Sequence, residues 1–88
     1  MRTYGMLDQL SRAANSVPLN VAEGLGKWSE RDRHKFFQIA RASVYECVPI
    51  LNFLARKHLI SPQERARAYA LLEELARMLT TLIKRPHP

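Results

Sequence analysis

The sequence predicts an all-α fold, an up-and-down antiparallel bundle of three long helices. Apolar residues recur three or four positions apart over long segments, and no β-type alternation of useful length appears. Apolar residues make up 47% of the 88 residues, which is too many for a disordered chain. The links between the helical segments are short, and short links make successive helices antiparallel neighbours. We expect a single helical-bundle domain over residues 1–88.

The first helix is predicted at about residues 6–25. Its apolar stripe comprises Leu7, Leu10, Ala14, Val17, Val21 and Leu25. Pro18 lies inside this segment and removes a backbone donor, so we expect a kink or a short break there. Gly24 and Gly26 are expected to stop the helix, because glycine adopts the left-handed conformation at little cost.

The second helix is predicted at about residues 29–58, with Ser29 as N-cap and Glu30 and Asp32 near the positive end of the helix dipole. Its buried face is predicted to contain Phe36, Phe37, Ile39, Ala40, Ser43, Val44, Cys47, Val48, Ile50, Leu51 and Leu54. This face covers about half of the circumference, more than one neighbouring helix can bury. The helix must therefore pack on several neighbours, within the chain or across a subunit boundary. Pro49, on the opposite face, is expected to bend it toward the core.

The third helix is predicted at about residues 62–85 and has the clearest start signal. Ser61 is the expected N-cap, Pro62 takes the first helical position, and Glu64 completes a capping box. The expected buried stripe is Ala68, Leu71, Leu72, Leu75, Leu79 and Leu82.

The charge balance favours a polyanionic partner. Lys and Arg number 14 against 8 acidic residues, which gives a net charge of +6 and a pI near 10.1. Such a balance suits RNA, DNA or an anionic surface, although many small basic proteins bind none of these. One cysteine, Cys47, excludes an internal disulfide framework. No apolar run reaches the ~18 residues of a membrane span, and the N-terminus lacks a secretory signal, so we expect no membrane association and a cytoplasmic location.

Two segments resemble a known family. The segment Arg12–Gly24 is similar to the R-A-x-x-S-[IV]-P-x-N-[IV]-A-E-G signature of the four-helix-bundle family of 23S rRNA intervening-sequence proteins. Its family-motif residues here are Arg12, Ser16, Pro18, Asn20, Glu23 and Gly24. The segment Phe37–Glu46 is similar to the family's F-x-x-I-A-R-G-S-x-x-E, with Arg41, Ser43 and Glu46 in place and Ala42 where glycine is usual.

The resemblance implies an up-and-down bundle that assembles into a ring, typically a homopentamer. Relatives include the accessory variability determinant proteins of diversity-generating retroelements, which bind nucleic acid and a reverse transcriptase. Members normally carry a further helix before the segment that begins here near Met6. We therefore expect this chain to lack the first helix, as a three-helix variant or through a late start or truncation. The surface that this helix covers would be exposed or filled by another subunit.

Basic residues collect at one predicted end of the bundle. They are Lys27, Arg31, Arg33 and Lys35 at the start of the second helix, together with Lys84 and Arg85, which the antiparallel third helix returns to that end. One interpretation is a phosphate-binding surface for RNA or DNA, multiplied by oligomerisation. The alternative is a solvated helix end with weak, scattered ion pairs. A second basic group, Arg56, Lys57, His58, Arg65 and Arg67, is predicted at the other end.

Trp28 has two interpretations as well. It could stack on a base, but an aromatic residue beside a helix start more often packs on the end of the bundle, and we expect that here. The polar motif residues could form a functional site. We favour a structural role in which they tie the proline-containing helix to its neighbour.

The sequence gives little support for catalysis. His34, His58 and His87 are dispersed, and Cys47 lies on the apolar stripe, so no nucleophile–base pair is indicated. Metal-ligand spacing and a phosphate-cradling glycine loop are also missing from the sequence. We therefore predict a non-enzymatic oligomeric scaffold that uses no cofactor, metal or small-molecule substrate. It would bind nucleic acid or a nucleic-acid-processing, reverse-transcriptase-like partner. The alternative is a purely structural protein–protein interaction module.

Overall fold

The structure is a computed structural model that describes residues 3–85, with side chains from residue 5 onward. It contains three helices, α1 (Thr3–Leu25), α2 (Glu30–Arg56) and α3 (Pro62–Lys84). The links between them are short, and α1 and α3 both pack on α2. The predicted all-α, up-and-down arrangement is therefore confirmed. His87 lies outside the described residues.

The first helix ends at Leu25, as predicted, but without the predicted glycine conformation. It runs without a break through Pro18, and it continues through Gly24 to Leu25. No glycine among the described residues has a positive φ, so the predicted left-handed glycine stop is wrong. Gly24 serves another purpose, since a Cβ there would lie 2.6 Å from the Phe37 ring. The absence of a side chain lets the end of α1 approach the start of α2.

The turn between α2 and α3 is closed by local hydrogen bonds. The helix ends at Arg56, two residues earlier than predicted, because His58 adopts a left-handed φ of 58°. The His58 N–H donates to the Ala55 carbonyl (3.0 Å) and the Leu59 N–H to the Leu54 carbonyl (3.0 Å). These two bonds form a Schellman motif, which satisfies carbonyls at the end of the helix.

Both predicted N-caps are present. The Ser29 hydroxyl accepts a bond from the Asp32 N–H at 3.1 Å. At the start of α3 the Ser61 hydroxyl accepts from the Glu64 N–H (3.0 Å), and the Glu64 carboxylate accepts from the Ser61 N–H (2.8 Å). This pair of bonds is a complete capping box. The third helix ends at Lys84, with Arg85 as its C-cap.

The core lies along α2, at the centre of the bundle. Val17, Ala40, Val44 and Leu79 form a buried cluster contributed by all three helices. The eight buried residues of α2 all belong to the face predicted for it. Ile39 was also predicted to be buried on that face, but it is 40% exposed and lies at the edge of the face.

The buried face of α1 is rotated from the predicted one. Ala13, Val17 and Gly24 are buried, whereas the predicted Leu7, Ala14 and Leu25 are exposed. The reason is that α1 packs on α2 alone. Within residues 3–85 no Cα of α1 comes within 8 Å of a Cα of α3. In α3, Leu79 is buried but Leu71 and Leu75 are exposed, for the same reason.

The molecule is elongated, with principal extents of 47 × 22 × 14 Å. The radius of gyration is 14.5 Å, against about 12 Å for a compact chain of this length. None of the three helices has an apolar stretch that is long enough to cross a membrane within the part of the chain that the structure describes.

Candidate functional site

The basic residues singled out from the sequence share one end of the bundle. The Arg41 guanidinium donates to the Thr80 hydroxyl at 3.0 Å, which fixes the level of α3 against α2. Lys84 and Arg85 therefore lie about one turn nearer to the start of α2. We call this the basic end, and its residues are Lys27, Arg31, Arg33, Lys35, Lys84 and Arg85. Of these, Lys27 forms an ion pair, with Glu23 at 3.7 Å, and the other five form none within residues 3–85.

Acidic residues at the same end offset part of this charge. Glu30 lies 3.7 Å from the His34 ring, and Asp32 lines a shallow polar depression together with Arg31 and Lys35. The depression is open to solvent along the first turns of α2. It can receive an anionic group without any burial of charge, which makes it suitable for a phosphate backbone.

We expected Trp28 to pack on the end of the bundle, but it does not. Its side chain is 96% exposed, in the four-residue link between α1 and α2. The aromatic residue that does pack at this end is Phe36, which is half-buried and has Lys27 and Lys35 ammonium groups 5.2 and 5.9 Å from its ring centre. Trp28 has polar neighbours in Lys27 and Ser29, and this was the available sequence signal for its exposure.

Two of the five basic residues at the opposite end, Lys57 and Arg65, make side-chain contacts within the chain. The Arg65 guanidinium donates to the Asn52 side-chain oxygen at 2.8 Å and lies 5.3 Å from the Tyr69 ring centre. Lys57 lies 5.7 Å from the ring centre of Phe53. No exposed aromatic side chain comparable to Trp28 is found there among the described residues.

The polar motif residues divide into two groups. A hydrogen-bonded set between α1 and α2 is formed by Ser16, Asn20 and Ser43. The Ser16 hydroxyl oxygen accepts one bond from the Ser43 hydroxyl (2.8 Å) and one from the Asn20 side-chain amide (2.9 Å). Arg41 ties α2 to α3 through Thr80. These contacts join α1 to α2 and α2 to α3.

The second group makes no contact between helices. Arg12 is 78% exposed at its side chain and pairs with Asp8, on its own helix, at 2.8 Å. Glu23 is 61% exposed and pairs with Lys27. Glu46 is exposed as well. These three residues are available to a partner.

Cys47 is a core residue. It is buried, and its thiol donates to the Ser43 carbonyl at 3.4 Å. Burial, and secondarily the charge of Glu46, raises the pKa of the Cys47 thiol. The thiol therefore stays protonated near neutral pH, which is unsuitable for a nucleophile. Within residues 3–85 no three His, Cys, Asp or Glu side chains are grouped as metal ligands.

An apolar groove lies between α1 and α3, with α2 as its floor. It has a volume of about 400 Å³. Its lining residues are Ala14, Val17, Pro18, Val21, Cys47, Leu72, Leu75, Met78, Leu79 and Leu82. Several residues that the periodicity assigned to the core therefore border this groove. Leu75 and Met78 among them are exposed within residues 3–85.

Comparison with known proteins gives one match. A family model described as "23S rRNA-intervening sequence protein" matches residues 1–81. No curated protein and no solved structure matches the chain. The family resemblance indicated by the two motif segments is thereby confirmed.

Proposed function

Since this chain belongs to the 23S rRNA-intervening sequence protein family, we propose that it is a cytoplasmic, non-enzymatic, oligomeric scaffold that binds nucleic acid through its basic end. The partner is RNA or DNA, alone or presented by a nucleic-acid-processing protein of the reverse-transcriptase kind. The observation that carries this proposal is the 96% exposure of Trp28 beside the basic residues.

Because Trp28 is 96% exposed, its ring face is free to stack on a ligand. Trp28 lies directly after Lys27 in the link, and Arg31 follows in the first turn of α2. Base–aromatic stacking beside a positively charged surface is the usual way to hold single-stranded nucleic acid without sequence preference. The basic end combines both elements.

The oligomer is supported by the shape of the subunit. The subunit is elongated, and the groove leaves apolar residues of α1 and α3 uncovered. The accessible surface is 6354 Å², against about 5,300 Å² for a compact protein of this mass. The difference of about 1,000 Å² is comparable to what one protein interface buries per partner. We propose that copies associate through the groove, in a homopentameric ring as the family resemblance suggests, and so present several basic ends together.

The fluorescence of Trp28 provides the main test, because it is the one tryptophan in the chain. Titration with single-stranded RNA or DNA should quench this fluorescence. Trp28→Ala should weaken binding by about 5- to 100-fold, the loss of roughly one stacked base. The logarithmic salt slope should stay unchanged, since no charge is removed.

Charge variants, unlike Trp28→Ala, should change the salt dependence of binding. Reversal of Arg31, Arg33 and Lys35 to Glu should abolish binding at low salt, and single neutralisations should reduce the slope by about 0.7 each on single strands. The matched control is Arg56→Glu, Lys57→Glu and Arg67→Glu at the opposite end, which should bind like the unaltered protein. Equal losses in the two triple variants would contradict a defined interface.

A purely structural protein–protein module is the competing function, favoured by the groove. In that case the protein would bind a protein partner with little salt dependence, and Trp28 fluorescence would not respond to RNA or DNA. For the oligomer, native mass spectrometry should give a multimer that Leu75→Lys in the groove dissociates. A monomer for the unaltered protein at high micromolar concentration would refute the ring.

A further inference from the structure

One side of α1 and its adjoining link carries mostly exposed residues whose ion pairs lie within that segment, and Lys27 also lies 5.2 Å from the ring centre of Phe36 in α2. The residues are Asp8, Arg12, Ser16, Leu19, Glu23 and Lys27, and we call them the α1 strip. Their spacing of four, four, three, four and four residues keeps them within an arc of about 100°. Pro18 and Val21, which line the groove, lie on the other side of the helix. The strip is therefore a surface separate from the groove.

The order of charges along the α1 strip is self-complementary. From its beginning to its end the strip reads negative, positive, two uncharged residues, negative, positive. An antiparallel second copy reads the reverse, so that Asp8 faces Lys27 of the copy and Arg12 faces Glu23 of the copy. At the centre, Ser16 faces Leu19 of the copy. A parallel copy would instead place like charges opposite each other.

The geometry within the subunit prepares these charges for a partner. Arg12 lies 2.8 Å from Asp8, and Lys27, although past the last turn of α1, lies 3.7 Å from Glu23. In an antiparallel pair, the Asp8–Arg12 ion pair of one copy faces the Glu23–Lys27 ion pair of the other copy, so that unlike charges lie opposite each other. Isolated surface ion pairs contribute little, but networks of several charges contribute more.

The centre of the α1 strip is apolar. Leu19 is 66% exposed and Ile39 of α2 is 40% exposed. The hydrogen bond between Ser16 and Ser43 fixes the two antiparallel helices so that Leu19 and Ile39 lie at the same level. The pair sits close to the midpoint of the strip, between residues 17 and 18, where a two-fold axis would pass. An apolar centre with charged ends is the usual organisation of a protein interface.

We infer that the α1 strip is an isologous interface, at which two copies of this chain pair antiparallel across a two-fold axis. The occupant is a second copy because every charge on the strip finds its opposite on the same strip inverted. The contact is about 29 Å long at 1.5 Å per residue. It is independent of nucleic-acid binding and of the groove, so it stands even if the proposed function fails.

Two single charge reversals test this pairing by complementation. Arg12→Glu makes the strip's inner charges both negative, and Glu23→Arg makes both positive. Each variant alone should repel itself, whereas an equimolar mixture restores both attractive pairs. Met78→Glu is added to every chain to block the groove, and Met78 is 56% exposed, so the substitution leaves the core intact. Sedimentation equilibrium should give dimers for the Met78→Glu parent, monomers for each reversal and dimers for the mixture, with at least tenfold weaker self-association in the single variants.

Matched controls separate the pairing from net charge and from folding. Arg56→Glu and Glu73→Arg change the charge equally at exposed positions away from the strip, and both should dimerise like the parent. Leu19→Lys should give a folded monomer by circular dichroism, and Leu59→Lys, at another exposed leucine, should stay dimeric. A monomeric parent, unaltered dimers of the two reversals, or a mixture that stays monomeric would each overturn the interface.

Discussion

The two helical hairpins of this chain have similar lengths and the same antiparallel topology, yet they are held together differently. The α1–α2 hairpin depends on contacts between the helices. Gly24 lies against the Phe37 ring, and Ser16 bonds to Ser43 in a partly buried position. The α2–α3 hairpin has hydrogen bonds between its helices as well, and its turn is also closed, by a Schellman motif followed by a capping box.

This difference has a physical consequence. The contacts of the α1–α2 hairpin join residues far apart in the sequence, so they form only when the two helices have packed. The turn of the α2–α3 hairpin is made of bonds between near neighbours, which stabilise the helix ends themselves. We therefore expect changes at the α1–α2 contact to affect the whole fold strongly, and changes in the α2–α3 turn to cost less.

The largest effect is expected for Gly24→Ala. The new methyl group would lie 2.6 Å from a ring atom of buried Phe37 and 3.2 Å from the Arg33 carbonyl oxygen. Overpacking of this kind costs about 1–3 kcal/mol, and the higher helix propensity of alanine offsets up to about 1 kcal/mol. We expect a net loss near 2 kcal/mol, or roughly 8–16 °C in Tm, measured by thermal denaturation at one fixed protein concentration.

The matched control is Gly26→Ala, two residues later. A Cβ there would be 3.6 Å from its nearest neighbour, an ordinary contact. Its Tm should therefore change little. Equal destabilisation by the two substitutions would mean that glycine itself, and not the approach to Phe37, is needed at the end of α1.

The next largest effect is expected at the Ser16–Ser43 bond. Ser43→Ala should destabilise the protein by about 1–1.5 kcal/mol, because the bond is short and Ser43 is 7% exposed. A double-mutant cycle with Ser16→Ala should give a coupling energy near 1 kcal/mol by urea denaturation. The same cycle on Arg41 and Thr80 should give less, since that bond lies at the bundle edge. A larger coupling for the second pair would reverse the ranking of the two hairpins.

The local parts of this fold could be predicted from the sequence, and the contacts across helices less well. Ser29 and Ser61 cap their helices as expected, because a cap depends on residues three positions apart. The rotation of α1 could not be predicted from periodicity alone. Its stripe of apolar residues covers both the face on α2 and the wall of the groove, and periodicity does not say which neighbour is present.

The candidate site shows the same limit. Charge and antiparallel topology were enough to bring Lys27 and Lys84 to one end. The exposure of Trp28 was missed, because whether a link residue folds back onto the bundle depends on the space available there. At this end of the bundle it is Phe36 that packs, with the ammonium groups of Lys27 and Lys35 near its ring.

A smaller effect is expected from the capping box of α3. Ser61→Ala should cost about 1 kcal/mol by urea denaturation. The bonds that Glu64 accepts from the Ser61 backbone and side chain hold the pKa of that carboxyl below its ordinary value. Because the folded value is the lower one, the stabilisation by Glu64 is complete above about pH 4.3 and is lost as the pH falls through the folded pKa. The stability difference between the unaltered protein and Glu64→Gln should therefore shrink in acid, and a difference that grows there would contradict the capping role.

The smallest effect is expected at His58, where a substitution should stabilise the protein. A residue other than glycine at a φ of 58° costs about 1 kcal/mol relative to glycine, because its Cβ approaches the following carbonyl oxygen. Glycine loses more backbone entropy on folding, which removes part of the gain. We expect His58→Gly to raise the free energy of unfolding by about 0.5 kcal/mol and the Tm by roughly 2–4 °C. His58→Ala is the control, since it removes the imidazole and keeps the Cβ, and it should not raise the Tm. If the alanine variant gained as much stability as the glycine variant, the imidazole and not the left-handed backbone would be the source of the cost. The Schellman turn would then contribute less to the stability of the α2–α3 hairpin than we infer.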